Sequence, residues 1–181
     1  MAKTRIATTS LAGCFGCHMS LLDIDERILD LLEVVEFGKS PINDIKKFNG
    51  RCLVGLIEGG CSNEENVAVL RDFRGHCDVL VAIGDCAIMG GVPAMRNGIP
   101  LDECLKEAYQ QGPTVHNPSG LIPNDPEIPL LLDRVYPCSE VVKIDYLLPG
   151  CPPSADTLWK ALTALLSDKP LELPYGLIKY D

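Results

Sequence analysis

The chain has 181 residues, of which 46% are hydrophobic and 23% charged, and its formal net charge is −9. This composition predicts one globular domain over residues 1–181, and the negative charge argues against a nucleic-acid partner, which needs clustered Lys and Arg. No apolar run reaches the roughly 18 residues of a membrane span, and the first residues are typical of a strand rather than of an export signal, so we expect a cytoplasmic protein with no membrane partner.

Strand-like and helix-like patterns alternate along the chain. In chain order they predict a strand at 5–9, a helix at 20–33, strands at 34–37 and 52–58, a helix at 63–73, a strand at 78–83, a helix at 101–111, a strand at 141–148 and a helix at 154–166. Such alternation implies parallel strands joined by right-handed crossovers. We therefore expect a three-layer α/β/α domain of flavodoxin-like type with a mostly parallel sheet.

Two segments lack a regular pattern. Residues 113–129 are rich in Pro, Asn, Ser and Gly, which is typical of a long ordered loop, and such loops usually serve a function or cover a partner surface. Residues 168–181 are broken by proline and predict an irregular C-terminal arm.

Cysteine is the most informative residue type in the chain. There are nine cysteines, and in a reducing compartment so many thiols indicate metal or redox chemistry rather than disulfides. Four of them follow the ends of predicted strands, namely Cys14, Cys17, Cys86 and Cys151. Loops that leave the carboxyl ends of strands gather at one crevice, so these thiolates could surround one metal centre. Four thiolates match the four irons of a 4Fe–4S cubane.

Two other interpretations of these cysteines stay open at this point. Cys14 and Cys17 form a Cys-x-x-Cys between a strand and a helix, which also describes a thioredoxin-like dithiol. A dithiol, however, leaves Cys86 and Cys151 unexplained. Structural zinc sites tend to use two close pairs of ligands, whereas this set contains one. The spacing therefore favours an iron–sulfur cluster.

Glycine and proline surround the four cysteines. We expect Gly13, Gly16, Gly84 and Gly150 to let backbone N–H groups approach the sulfur atoms. Pro152 is expected to stiffen the last of the three loops. These five residues are therefore predicted to belong to the cofactor site.

Other polar residues near the predicted cluster have competing interpretations. Cys61 follows a strand end, so it should face the same crevice, as a neighbour of the cluster or an exchangeable ligand. For Glu58 a solvated carboxylate is favoured over a proton carrier, and His18 is either exposed at a helix start or hydrogen-bonded to the cluster or a partner. Cys52 and Cys104 are predicted to be core residues, and Cys77 and Cys138 are predicted to be structural as well.

Four segments together carry a resemblance to a known family: SLAGCFGCH at 10–18, EGGCSNEEN at 58–66, GDCA at 84–87 and PGCPP at 149–153. This pattern resembles the small subunit of nickel–iron hydrogenases, above all that of the cytoplasmic NAD-reducing (bidirectional) enzyme, and the resemblance spans nearly the whole chain. It implies that the 4Fe–4S cluster nearest the nickel–iron centre is held by Cys14, Cys17, Cys86 and Cys151.

The resemblance also implies partners. The nickel–iron centre would lie on a separate large subunit, and electrons would pass to a diaphorase module that carries FMN, NAD and further iron–sulfur clusters. The overall reaction would be reversible reduction of NAD+ by H2. Because the H2 chemistry would take place in the large subunit, we assign no catalytic residue in this chain.

Alternative functions remain. The chain also fits the small subunit of an F420- or sulfur-linked nickel–iron hydrogenase, although residues 58–66 favour the NAD-linked group, and the Cys-x-x-Cys alone fits a stand-alone thiol oxidoreductase. Hydroxyl groups in residues 8–13 could cradle the phosphate of FMN, but the cysteines occupy the same loop, so FMN in this subunit is not favoured. The related quinone-reductase subunit differs because its motif begins with adjacent cysteines, whereas here Phe15 and Gly16 intervene.

Overall fold

The computed structural model describes residues 3–167, 169 and 172–178. Its strands are β1 (Thr4–Ser10), β2 (Val35–Lys39), β3 (Cys52–Glu58), β4 (Cys61–Asn63), β5 (Cys77–Ile83), β6 (Leu131–Tyr136) and β7 (Tyr146–Leu148). Its α-helices are α1 (Gly16–Leu22), α2 (Arg27–Val34), α3 (Glu64–His76), α4 (Asp85–Met89), α5 (Leu101–Lys106) and α6 (Ala155–Leu166). Short 3-10 helices lie at Val92–Gly98, Cys138–Glu140 and Tyr175–Leu177.

Five strands form a parallel sheet in the order β2-β1-β3-β5-β7. Numbered along the chain within this sheet, the order is 2-1-3-4-5, which is that of flavodoxin-like sheets. Helices α1, α2 and α6 pack on one face, and α3 and α4 pack on the other. The predicted three-layer flavodoxin-like fold is therefore confirmed.

Alternation along the central strands builds the two halves of the core. In β1, Ile6 packs into the layer of α1, α2 and α6, whereas Ala7 packs into the layer of α3 and α4. In β5, Val81 and Ile83 face the first layer, and Leu80 and Ala82 face the second. Because successive strand residues project to opposite faces, strands covered on both faces have continuous apolar sequences. This is why the pattern predicted β3 and β5 well.

The predicted helix at 20–33 is wrong in one respect, because this segment forms two helices, α1 and α2. Asp25 lies between them with φ 61°, a left-handed conformation that interrupts an α-helix. After this break, Leu31 is the buried leucine of α2, while Leu29 and Leu32 are exposed. One continuous helix would have had a single apolar face.

The last strand is shorter than predicted, since β7 begins at Tyr146 rather than at residue 141. Asp145 bonds to β5 partly through its side chain: its N–H donates to Leu80 O at 2.9 Å, and its Oδ2 accepts the Leu80 N–H at 2.9 Å. Arg74 Nη1 donates to the same carboxylate oxygen at 2.6 Å. A side-chain bond thus replaces a backbone bond of the sheet where the strand was expected to continue.

The sequence pattern missed strands β4 and β6. They form a two-stranded antiparallel sheet in which Cys61 pairs with Tyr136 and Asn63 with Leu131. These strands have three and six residues, and β6 is largely exposed. Neither gives the run of buried apolar residues on which the prediction depended.

The remaining segments agree with the prediction in outline. The helix expected at 101–111 is α5 followed by a π-helical turn over Glu107–Gln111. Residues 113–129 contain no helix or strand, and Asn117 Nδ2 ties the loop together by donating to Tyr109 O and Leu121 O, each at 2.7 Å. Of the predicted C-terminal arm, residues 168, 170, 171 and 179–181 lie outside the described residues. No helix in the described part of the chain is long and apolar enough to cross a membrane.

Candidate metal centre

The four predicted cysteines line one cavity at the carboxyl edge of the parallel sheet. Cys14 lies in the loop after β1, Cys17 in the first turn of α1, Cys86 in α4 directly after β5, and Cys151 in the loop after β7. The same cavity is lined by Gly13, Phe15, Gly16, Glu58, Gly59, Asp85, Gly150 and Pro152. Three loops that are far apart in sequence therefore meet because the strands before them belong to one parallel sheet.

Backbone N–H groups act on two of the four sulfur atoms. The Gly16 N–H donates to Cys14 Sγ at 3.4 Å, and the backbone of Val92 acts against the burial that raises the pKa of Cys86. Hydrogen bonds of this kind stabilise negative charge on sulfur, whether the thiolate is free or bound to a metal.

Glycine is required where the chain passes closest to sulfur. A Cβ at Gly84 would lie 2.3 Å from Cys17 Sγ, and a Cβ at Gly91 would lie 2.8 Å from Cys86 Sγ. Gly91 was not predicted, although its position five residues after Cys86 in a Gly-Gly pair is a signal. By contrast, a Cβ at Gly13 would meet the backbone of Gly59, and one at Gly150 would meet Pro153. These last two glycines permit close packing of the loops and make no sulfur contact of the predicted kind.

Burial and mutual proximity raise the pKa of the inner thiols. Burial raises the pKa of Cys17 far above its usual range, and the charges of Glu58, Cys86, Cys14 and Cys151 add to this effect. Burial also raises the pKa of Cys86. A nucleophilic thiol requires a lowered pKa, so neither Cys17 nor Cys86 is suited to be the nucleophile of a thiol oxidoreductase. Such buried thiols become thiolates when a cation supplies the compensating charge.

The cavity also disfavours a single zinc ion. Among the residues that the structure describes, no three His, Cys, Asp or Glu side chains are grouped closely enough to hold one metal ion. The four cysteines instead line one cavity. A tetrahedral zinc site needs four donors at about 2.0–2.3 Å from one ion.

Glu58 is buried rather than solvated, which corrects the prediction for this residue. Its side chain is 2% exposed and lines the cavity. Ser10 Oγ donates to Oε1 at 2.6 Å, and the His18 N–H donates to Oε2 at 2.8 Å. Burial alone would raise the pKa of Glu58, but its contacts with His18 and the hydrogen bond from Ser10 outweigh this effect and hold the pKa below its usual value.

His18 is fully buried, so the expectation of an exposed histidine at a helix start is wrong. Its ring stacks on Phe15 with centroids 4.5 Å apart, and Nε2 lies 2.9 Å from Thr8 Oγ1. Nδ1 is 3.1 Å from Glu58 Oε2, although the angle of this contact is poor for a hydrogen bond. His18 therefore does not line the cavity itself, but its backbone N–H holds the carboxylate of Glu58, which does.

Cys61 does not reach the cavity. It is buried in the layer of α3 and α4 near Cys138, and burial raises the pKa of its thiol to about 11. The expectation that Cys61 faces the four cysteines is wrong, because the chain enters β4 and turns the side chain into the core. Cys52 is buried as predicted, whereas Cys104 is partly exposed on α5 and is not a core residue. Cys77 and Cys138, which were predicted to be structural, are buried.

Asp85 is the site residue that sequence reasoning missed. It is 9% exposed, lines the cavity, and accepts the Gly150 N–H on Oδ1 at 2.9 Å. The signal available was an acidic residue directly before a predicted ligand at a strand end. Its partner, 65 residues away, could not be identified from spacing.

Two of the hydroxyl groups that could have cradled a flavin phosphate, those of Thr8 and Ser10, make hydrogen bonds within the protein. Ser10 donates to Glu58, and Thr8 Oγ1 is 2.7 Å from Ser40 Oγ and within hydrogen-bond distance of His18. A phosphate at this position would have to compete with these buried bonds.

The chain is similar to known proteins over most of its length. The family model that matches residues 14–165 describes the 20 kDa subunit of NADH ubiquinone oxidoreductase. The delta subunit of the NAD-reducing hydrogenase HoxS from Cupriavidus necator is 48% identical over 180 residues, which are 99% of this chain and 86% of that subunit. A subunit of the F420-non-reducing hydrogenase from Methanothermobacter thermautotrophicus is 38% identical over 95% of this chain. The chain spans only 56% of the length of that archaeal relative.

Solved structures agree with these sequence matches. A subunit in the crystal structure of an NAD+-reducing NiFe hydrogenase in the H2-reduced state is 50% identical, with a TM-score of 0.95 over 99% of this chain and 100% of that one. The NiFeSe hydrogenase of Desulfovibrio vulgaris Hildenborough is 19% identical with a TM-score of 0.56, over 92% of this chain and 62% of that one, and shows the same fold. The chain belongs to the family of the 20 kDa subunit of NADH ubiquinone oxidoreductase and, within it, to the small subunits of NAD-reducing nickel–iron hydrogenases.

Proposed function

We propose that this chain holds one 4Fe–4S cluster through Cys14, Cys17, Cys86 and Cys151 and relays electrons inside an NAD-reducing hydrogenase. The observation that carries the proposal is that four cysteines from three strand-end loops line one cavity. The donor set fits an iron–sulfur cluster, because it consists of thiolates with N–H groups directed at sulfur. When bound, such a cluster accepts and returns single electrons.

The residues of this chain prepare the site for that role. The glycines at Cys17 and Cys86 let the backbone pass close to sulfur. The Gly16 N–H donates to sulfur and the backbone of Val92 favours negative charge on Cys86, which makes a reduced cluster easier to form. The carboxylates of Glu58 and Asp85 on the cavity wall act in the opposite direction. The cluster potential is therefore set by a balance between donors and buried negative charge.

The partner on the cavity side is proposed to be the hydrogenase large subunit, which would carry the nickel–iron centre. Three large apolar side chains just after Cys86 are exposed: Met89 by 50%, Val92 by 68% and Met95 by 77%. Exposed apolar patches of this kind mark interaction surfaces, and this one adjoins the cavity wall. Burial under a large subunit would also seal the cavity from solvent.

Beyond the large subunit, we infer that electrons pass to a diaphorase module with FMN, NAD and further iron–sulfur clusters. Two similar proteins are described as NAD-reducing hydrogenases, and the chain covers 86% and 100% of their matched subunits. The F420-non-reducing relatives are less identical and much longer than this chain. The NAD-linked function is therefore preferred, and we propose a cytoplasmic location because the reaction uses NAD.

The test is anaerobic purification of the complex with its native partners, followed by analysis of iron, sulfide, nickel and flavin. We expect Cys86→Ala to remove the EPR signal of the reduced cluster in this subunit. Cys104→Ala is the matched control, because Cys104 lies on α5 away from the cavity, and it should leave the signal unchanged. An unaltered signal in Cys86→Ala contradicts the ligand assignment. A colourless, iron-free chain that reduces disulfides would favour the thiol-oxidoreductase alternative.

A further inference from the structure

We propose that Asp85 is a positioning residue that fixes the Cys86 loop to the Cys151 loop and so prepares the cavity for a cluster. This inference rests on the proposed cluster function and assigns a role to a residue outside the four cysteines. Asp85 is buried at the end of β5. Its side chain has no sulfur with which to bind the cluster. Apart from the charge that it adds to the cavity wall, its effect on the cluster would therefore be exerted through the loops.

The clamp consists of two reciprocal hydrogen bonds between Asp85 and Gly150. Asp85 Oδ1 accepts the Gly150 N–H at 2.9 Å, and the Asp85 N–H donates to Gly150 O at 3.0 Å. Each member of this pair directly precedes a proposed ligand, Cys86 or Cys151. The two bonds therefore link neighbours of two ligands that are 65 residues apart in sequence.

A carboxylate is well suited to this position. The residues after Cys151 are Pro152 and Pro153, which have no N–H with which to hold the loop. Hydrogen bonds to a carboxylate are roughly twice as strong as those between neutral groups, and in a buried site water competes less for them. The side-chain bond to Gly150 thus compensates for a loop that is poor in backbone donors.

Two substitutions distinguish the effect of the side-chain hydrogen bond from the effect of the Asp85 charge. Asp85→Asn keeps an oxygen that can accept the Gly150 N–H, while Asp85→Ala removes the acceptor. Asp102→Ala is the control, because Asp102 is an exposed carboxylate on α5 with 67% side-chain exposure. Circular dichroism of each cluster-free chain establishes that the variants are folded, and Asp85→Asn keeps the test informative if Asp85→Ala does not fold.

The first measurement is hydrogen exchange in the cluster-free full chain, which reports the clamp itself. We expect the Gly150 amide to exchange at least about tenfold faster in Asp85→Ala, since a hydrogen bond to a charged group is lost. Asp85→Asn and Asp102→Ala should retain most of the wild-type protection. Unchanged exchange in Asp85→Ala would refute the clamp.

The second measurement reports the cluster, in the chain reconstituted anaerobically with iron and sulfide. We expect Asp85→Ala to lose its iron to a chelator about tenfold faster or more and to show an altered EPR line shape, with Asp85→Asn restoring both. Equal iron loss and equal changes of line shape in Asp85→Asn and Asp85→Ala would refute the positioning role and indicate that the charge of Asp85 is what matters. If the wild-type chain takes up no iron and sulfide, the cluster function fails, while the exchange experiment still decides the clamp.

Discussion

Gly84 offers the most direct test of how closely the chain packs against a proposed ligand. It has φ 79° and ψ 159°, a conformation that is essentially restricted to glycine, and a Cβ there would lie 2.3 Å from Cys17 Sγ. The backbone strain in Gly84→Ala should cost about 1–3 kcal/mol, and the overpacking about 1–3 kcal/mol more. We therefore expect the free energy of unfolding to fall by about 2–6 kcal/mol.

The assay is urea unfolding of the cluster-free chain, followed by iron analysis after anaerobic reconstitution. In thermal unfolding, a loss of about 2 kcal/mol would lower the melting temperature by roughly 4–8 °C for a chain of this size. The iron content should also fall, because Cys17 is displaced. Gly75→Ala is the matched control. Gly75 lies in α3, and a Cβ added there would have no other atom within 4 Å, so this change should stabilise the helix by about 0.5–1 kcal/mol. Wild-type stability and iron content in Gly84→Ala would refute the packing argument.

Two further predictions concern carboxylates that accept hydrogen bonds from backbone N–H groups distant in sequence. Hydrogen bonds hold the pKa of Glu58 below its usual value, so the stability it contributes is complete above its unfolded pKa of about 4.3 and is lost as pH falls through the lowered pKa. Glu58→Gln should cost about 1–3 kcal/mol at pH 7 and reduce the acid sensitivity of unfolding, and an unchanged pH profile would contradict this account. Asp145→Ala removes the bonds to Leu80 and Arg74 and should also cost about 1–3 kcal/mol in urea unfolding. Lys143→Ala should have little effect, because its side chain is 82% exposed; equal losses in the two variants would argue against the role of Asp145.

The four cysteines could be predicted because their position depends on features that one sequence displays. β5, for example, is buried on both faces, so its apolar run marks where the strand ends, just before Cys86. Once the strands are parallel, the residues after them share one edge of the sheet. Cys14, Cys17, Cys86 and Cys151 were therefore placed together without knowledge of any contact.

The carboxylates could not be placed in the same way, because their roles depend on contacts between loops. Glu58 reaches the backbone of His18, 40 residues away, and Asp85 reaches that of Gly150, 65 residues away. Cys61 shows the opposite error, since its position after a strand suggested the crevice while β4 turns it into the core. Strand order predicts which loops meet. The direction of a side chain within a loop depends on packing, which the spacing of apolar residues along the sequence does not reveal.

The loops of the cavity are joined to one another by backbone as well as side-chain bonds. Ala12 exchanges two hydrogen bonds with Gly60, at 2.7 and 3.0 Å, and the Gly84 N–H donates to Leu148 O at 2.8 Å. These contacts extend the pairing of the strands beyond the sheet and into the loops that carry the cysteines. The loop positions are therefore determined largely by the fold, and binding a cluster would require less reorganisation than in a site formed by flexible loops. This explains how ligands separated by as many as 137 positions, from Cys14 to Cys151, can form one centre.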